Sequence, residues 1–474
     1  MKKILVFSLG PIFKDHVHGG SQKVLREVAI HLGKKGHKVN IYCVERDDNC
    51  TPFSLSKNVW VFPVLNFKQT FPASYKTAPF NLWKINKILY EQIKNHDIFY
   101  IHDSDLNFYD LCNQDIPTII SLRDFLYPET LLGAFNFRRD QIIVNSLHTA
   151  ECLRYSVGNY LPGINKRVVL IENGINLDLF SRKKPEKVLK LLNKRIEEND
   201  KIILYPHRPD PLKGINQSLN VLHKLVHEKN LTNIKLLIPR YIDEGVTDDL
   251  DQHYKAILKK SKELKIENNI IFHKWVPYEL MPEYYSLGTL TLSVGNFIEA
   301  FGSNVGLESL ACGTPVIMSS VGAQRSTLPK GIIARVAYGD EESIVEISYQ
   351  ILTGKFEFDP EKIREFIKSK FSYEKMLEGY EKVIVNSKIS SPLAIKLEED
   401  SQVKTLIIAP WACLTKFGIY SDYEYKYYPI SLELLQALQS LGKISFDKIT
   451  SQDIRQEVIY LLEKGILVEE KLSS

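Results

Sequence analysis

Short apolar runs alternate with helix-period segments along most of this chain, and the alternation starts over once. Ile4 to Ser8 is strand-like, and Ser21 to Leu32 then repeats Val24, Leu25, Val28, Ala29 and Leu32 at helical spacing. Val39 to Val44, Asp97 to Ile101, Pro117 to Leu122, Gln141 to Val144 and Val168 to Ile171 are further strand-like runs. Alternating strands and helices of this kind imply a parallel sheet covered on both faces. A polar, charged joint follows (Ser181 to Lys201). The pattern then resumes with Ile202 to Tyr205, a helix over Ile215 to Val226, and Ile234 to Ile238. Ile270 to Phe272, Leu290 to Leu292 and Val316 to Met318 continue it. The expected class is α/β: two doubly wound, Rossmann-like domains facing a cleft, residues 1–180 and 181–388. A chain of 474 residues has room for two or three such cores.

A segment of different character follows. Asn386 to Pro392 reads as a linker, extended here over 389–404. Residues 405–428 are strand-rich and aromatic (Trp411, Phe417, Tyr420, Tyr423, Tyr425, Tyr427, Tyr428). Ser431 offers an N-cap for a helix over Leu432 to Leu441, and Ser451 opens a second through Glu463. Gly465 closes it before the strand Ile466 to Val468. The outline is a small α+β, winged-helix-like module, residues 405–474.

Bulk properties narrow the partners. A formal charge of +4 on 474 residues gives no footprint for nucleic acid, and the basic run Arg182-Lys183-Lys184 predicts at most weak membrane-surface contact. The two module helices also carry few cations. Six scattered cysteines without C-x-x-C spacing suit reduced thiols in the cytoplasm. The first apolar run is too short for a signal peptide, and no segment is long enough to span a membrane.

The most chemically pointed stretch is Glu299-Ala-Phe-Gly-Ser-Asn-Val-Gly-Leu-Glu308, running into a helix over Val305 to Ala311. A loop entering a helix N-terminus gathers unsatisfied N–H groups and a positive dipole end, which suits phosphate. Carboxylates beside it accept from ribose or sugar hydroxyls. Arg208 closes a strand and Lys213 starts the next helix, so both cations face the crevice outside the strand ends. There they hold a diphosphate and stabilise its developing charge.

Several segments, in order, resemble the retaining GT-B glycosyltransferases of glycosyltransferase family 4, over residues 1–388. They are Gly19-Gly20-Ser21 with Leu32-Gly33-Lys34-Lys35-Gly36-His37, Val144-Asn145-Ser146, Glu172-Asn173-Gly174-Ile175, and Phe180. His207-Arg208 through Lys213-Gly214 and Phe371-Ser372-Tyr373-Glu374 complete the series. The resemblance implies that Glu308 accepts from ribose hydroxyls and that Glu299 contacts the transferred sugar, assisted by backbone amides at Phe301, Gly302 and Ser303. It places His102 near the donor sugar, Gly19 and Gly20 against donor phosphate or sugar, and Trp275 and Val276 in the nucleotide-sugar-binding set. The implied catalytic set is Arg208, Lys213, Glu299 and His102. The implied activity is metal-independent, retaining hexosyl transfer from a nucleotide sugar, with UDP-sugar the expected donor and no cofactor.

Two features depart from the family. Eight residues separate Glu299 from Glu308 where seven are usual, which supports an alternative: a weakly active or inactive GT-B partner binding polypeptide or glycan. Asp103-Ser104-Asp105 forms a D-x-D, the metal-binding pair of GT-A enzymes, although a GT-A chain has no need of the second α/β domain. A phosphorylase or epimerase acting on nucleotide sugars is a third reading. The terminal module resembles those that capture leader peptides by adding a strand at a sheet edge, so a peptide or protein acceptor recruited by residues 405–474 is expected.

Overall fold

A computed structural model describes residues 1–17, 19–68, 76–103, 115–137, 140–192, 196–240, 247–299, 301–302, 304–329, 331–396 and 405–471. Eight strands form the first sheet: β1 (Lys3–Ser8), β2 (Lys38–Val44), β3 (Phe53–Ser56), β4 (Val59–Leu65), β5 (Ile98–Asp103), β6 (Thr118–Leu122), β7 (Gln141–Val144) and β8 (Val168–Leu170). Their order is β3-β4-β2-β1-β5-β6-β7-β8, parallel except for the edge strand β3. Successive residues of β1 explain the unbroken apolar run. Leu5 and Phe7 pack into one core, whereas Ile4 and Val6 pack into another on the opposite face. With both faces buried, no polar alternation can survive.

The second sheet contains β9 (Lys201–Leu204), β10 (Ile234–Arg240), β11 (Ile270–Lys274), β12 (Leu290–Ser293), β13 (Val316–Ser319) and β14 (Ala334–Val336). It is parallel, in the order β11-β10-β9-β12-β13-β14, and β9 again splits its side chains between two cores. Sequence order and packing part company at the helix Tyr373–Asn386. It falls within the range 181–388, yet its Met376, Leu377, Tyr380 and Ile384 belong to the core that covers the first sheet. Ser372 caps it by accepting from the Lys375 N–H at 3.2 Å.

The terminal region carries β15 (Thr405–Ile408), β16 (Ala412–Thr415), β17 (Gly418–Ser421), β18 (Lys426–Tyr428), β19 (Lys443–Ser445) and β20 (Leu467–Glu469). They make two antiparallel three-stranded sheets, β19-β15-β20 and β16-β17-β18. Strand β19 intervenes between the two helices Leu432–Leu441 and Gln452–Glu463, so the observed order differs from the expected strands, helix, helix, strand. Ser431 and Ser451 do cap those helices. Among the described residues no helix is long and apolar enough to cross a membrane.

Candidate active site

Open α/β sheets bind ligands at the crevice where strand order reverses. That point lies between β1 and β5 in the first sheet and between β9 and β12 in the second. After β9, the Asp210 carboxylate accepts from the Leu212 N–H at 2.9 Å and starts the single turn Pro211–Lys213. The loop after β12 locks onto that turn: the Asn296 and Phe297 N–H groups both donate to the Leu212 carbonyl at 2.9 Å. Only glycine permits so close an approach. A Cβ on Gly214, at φ +87°, would sit 2.5 Å from Gly295 N, and one on Gly295 would sit 2.2 Å from the Leu212 oxygen.

This locking brings Lys213 Nζ to 2.5 Å from Glu299 Oε1 and to 3.5 Å from the Phe297 ring centroid. Burial pushes the Glu299 carboxyl upward, but the charge and hydrogen bond of Lys213, with His207 and Arg208 behind it, outweigh burial and hold it below its ordinary range. Glu299 is therefore an anion at neutral pH. Burial and then Lys213 push the neighbouring His207 imidazole down to about 4, so it is neutral. Arg208 is more open: its side chain is 42% exposed and pairs with Asp210 at 3.4 Å. Despite the eight-residue spacing, Glu299 thus meets Lys213 and lies within the field of Arg208.

Glu308 faces the other half of the chain. On the helix Asn304–Ala311, its Oε1 accepts from Lys23 Nζ at 3.2 Å and its Oε2 from the Tyr285 hydroxyl at 3.1 Å. Lys23 belongs to the helix Gly20–Lys34 that follows β1, so this ion pair crosses the cleft. Burial draws the Lys23 ammonium down, and Glu308, Tyr278 and Glu27 together outweigh it and leave it raised. The ammonium also lies 4.6 Å from the Tyr278 ring centroid. One turn along, burial pushes the Glu27 carboxyl up to about 7 against the pull of Lys23.

A second bridge runs through amides. Arg123, just past β6, donates to Asn173 Oδ1 at 2.7 Å, and Asn173 Nδ2 donates to Asn304 Oδ1 at 3.0 Å. A Cβ on Gly20 would lie 3.2 Å from Asn304 Nδ2, so the N-termini of two helices meet here. Gly19, at the N-cap, makes no side-chain cap. Such meeting ends concentrate unsatisfied N–H groups and positive dipole.

His102 lies near the end of β5 and is engaged at both ring nitrogens. It is fully buried, and its Nε2 lies 3.0 Å from the Ser21 carbonyl, which can only accept, so Nε2 carries the proton. Nδ1 then accepts from the Tyr100 hydroxyl at 2.8 Å. Burial, then Arg123, pushes this ring down to about 3. Nε2 ties β5 to the start of the first helix, while Nδ1 is engaged by Tyr100 within β5 itself.

Of the other expected residues, Val276 and Phe301 pack in the core under the second sheet, with Phe301 edge-on to Phe371 at 5.9 Å. Trp275 is 47% exposed just past β11. Gly302, at φ +89°, presses against Ala323, where a Cβ would be 2.7 Å from the carbonyl oxygen. Ser303 lies outside the described residues, as do Ser104 and Asp105 of the D-x-D. Sequence reasoning missed Lys23, Tyr278, Tyr285 and Arg123. Only Lys23 left a signal, as a charged pair with Glu27 on a helix that otherwise buries apolar groups.

Residues 18–179 match Glycosyltransferase Family 4, and residues 191–369 match Glycosyl transferases group 1. A D-inositol 3-phosphate glycosyltransferase from Frankia alni is 24% identical over 173 residues, covering 36% of this chain and 41% of the relative. One from Catenulispora acidiphila is 23% identical over 202 residues, 43% of this chain and 46% of the relative. The chain therefore spans less than half the length of these curated relatives. Among solved structures, a sucrose-phosphate synthase from Thermosynechococcus elongatus superposes with a TM-score of 0.64 at 19% identity, covering 81% of this chain and 98% of that one. HepE of Anabaena, solved with UDP-glucose, also reaches 0.64, at 15% identity over 81% of this chain and all of that one. The chain thus has the two-domain GT-B fold, with residues 18–179 similar to Glycosyltransferase Family 4 and residues 191–369 similar to Glycosyl transferases group 1.

Proposed function

We propose that this chain transfers a sugar from a nucleotide diphosphate donor, a UDP-sugar first among them, to an acceptor hydroxyl with retention and without a metal ion. The observation that carries the reading is the charge arrangement after β9 and β12: Arg208 open to solvent, and Lys213 paired with an ionised Glu299. Two cations at a strand end suit a diphosphate leaving group, and a carboxylate beside them suits the hydroxyls of the departing sugar. Glu308 suits the ribose hydroxyls, which would join or replace Lys23 and Tyr285 on its oxygens. His102 acts as a positioning residue, since it has no nitrogen left for substrate.

In the proposed step the acceptor oxygen bonds to the anomeric carbon on the face from which the diphosphate departs. The bond from that carbon to the phosphate oxygen breaks, and the acceptor proton passes to the leaving phosphate. With the leaving phosphate taking the proton and no covalent intermediate in the step, the chain's share is positioning and charge stabilisation. HepE, solved with UDP-glucose, supports the donor class. The peptide acceptor rests on the terminal module alone.

The test is mass-spectrometric: purified chain with UDP-, GDP- and dTDP-sugars, and a Ser/Thr peptide library as acceptor. Transfer with retained anomeric configuration, unchanged by chelator, is expected. No hydrolysis, no transfer and no nucleoside diphosphate binding would sink the proposal. One observation favours the second reading, an inactive partner: both Glu308 oxygens are already engaged. In that case Glu308→Ala would leave UDP affinity unchanged.

A further inference from the structure

The terminal hairpin is built into the wall of the cleft. Tyr420, on β17, is almost fully buried and packs against Ile298 and Val321, with Ile298 adjacent to Glu299 in the chain. Asp422 is fully buried and takes Arg325 in a two-pronged ion pair, Nη1 to Oδ1 at 2.8 Å and Nη2 to Oδ2 at 2.6 Å. Arg325 Nη2 also donates to the Pro410 carbonyl at 2.7 Å. The segment that Arg325 anchors returns to the catalytic loop: the Ala323 N–H donates to the Glu299 carbonyl at 3.2 Å. Gly322 lies so close that a Cβ would be 3.0 Å from Ile298 Cγ2.

The same hairpin is fastened to the first half of the chain. The Tyr423 hydroxyl donates to the Phe125 carbonyl, and Trp411 and Tyr423 pack on the first-half core. The linker before it is held as well, with Lys396 N–H donating to the Tyr160 carbonyl at 2.8 Å. A module free to swing on a flexible tether would make none of these contacts.

We propose that the hairpin Ala412–Tyr428 is a positioning element of the active site: through Tyr420 on Ile298, and through Asp422, Arg325 and Ala323, it holds the segment 294–299 so that Glu299 meets the transferred sugar. This rests on the transferase reading above. Tyr420 and Asp422 are positioning residues and touch no substrate. Misplacement of a contact group by about 1 Å is enough to cost a hundredfold in rate.

The experiment uses the full-length chain with Tyr420→Ala and Asp422→Asn. Tyr420→Phe serves as the conservative variant, and Lys416→Ala as a control on the same hairpin, since Lys416 is exposed and pairs with Asp340 away from the loop. In unliganded protein, amide exchange in 294–299 should rise about tenfold in Tyr420→Ala and Asp422→Asn while β9 and β12 stay protected. Affinity for UDP should stay within about twofold, and affinity for UDP-glucose should fall about tenfold relative to UDP, which corresponds to ~1.4 kcal/mol. Tyr420→Phe and Lys416→Ala should match the parent chain. Unchanged exchange in 294–299, an unchanged ratio of UDP-glucose to UDP affinity, or equal loss of both ligands with exposure of β9 and β12 would each overturn the inference. If the parent chain bound neither ligand, the transferase reading would fall, and exchange alone would still decide whether the hairpin holds this loop.

Discussion

The two glutamates of the cleft each sit beside a lysine, but the two pairs join different things. Lys213 and Glu299 connect neighbouring loops of one sheet, after β9 and β12. Lys23 and Glu308 connect the first half of the chain to the second. In the proposed function the first pair would fix charge where the donor bond breaks, and the second, which spans the two halves, would serve nucleotide binding.

The largest effect should come from breaking the first pair. Lys213→Ala removes a cation from the leaving group and strands a half-buried carboxylate. Turnover of UDP-glucose at saturation should fall about 10²–10³-fold, the scale of losing one charge-stabilising donor. A fall below tenfold would remove Lys213 from that role. Glu308→Gln should act on binding instead: UDP affinity should weaken about tenfold, the worth of a hydrogen bond to a charged acceptor, with turnover at saturation little changed. Calorimetric titration beside initial rates separates the two patterns.

The pairs should also answer pH in opposite directions. His207, beside the first, is pushed down to about 4 from an ordinary value of 6.5. Between those values the unfolded chain binds the proton and the folded one does not, so this contribution is lost as pH falls below 6.5. Glu27, beside the second, is pushed up to about 7 from 4.5. There the folded chain binds more protons, so the contribution is present at low pH and lost as pH rises from 4.5 to 7. Each group changes stability by roughly 1.4 kcal/mol per pH unit within its window. Urea midpoints between pH 5 and 7.5 should shift slope one way in His207→Gln and the other way in Glu27→Gln; parallel curves would refute the assignment.

The smallest effect should follow Lys23→Met. The apolar stem remains over Tyr278 and Glu308 keeps Tyr285, so UDP affinity should change by less than about threefold while cross-cleft attraction is lost. Small-angle scattering should show a larger unliganded radius that UDP restores. An unchanged radius would mean that the amide bridge through Arg123, Asn173 and Asn304, together with the terminal hairpin, holds the halves without Lys23.

Much of the fold was legible because covered parallel strands read as unbroken apolar runs. The edge pair β3 and β4 escaped notice: β3 is half-exposed, and β4 alternates buried with exposed or half-buried positions around Pro63. Strand β19, three residues long, left no pattern. The helix Tyr373–Asn386 shows its buried stripe in sequence, but nothing local says which sheet it covers. The second-half site was readable for a similar reason, because Arg208 and Lys213 lie at a strand end within a few residues of one another. Lys23 and Glu308 are 285 residues apart, and the meeting of Asp422 with Arg325 is set by tertiary packing alone. His102 was placed at the right strand end, but its bonds to Ser21 and Tyr100 depend on tertiary packing that the sequence does not display.

The most direct test of the two-pair account is a crystal structure of the full-length chain with UDP-glucose. The account predicts ribose hydroxyls within hydrogen-bond distance of Glu308, the diphosphate between Arg208 and Lys213, and a glucose hydroxyl on Glu299. Donor density elsewhere, or a ribose bound with Glu308 still wholly engaged by Lys23 and Tyr285, would contradict it.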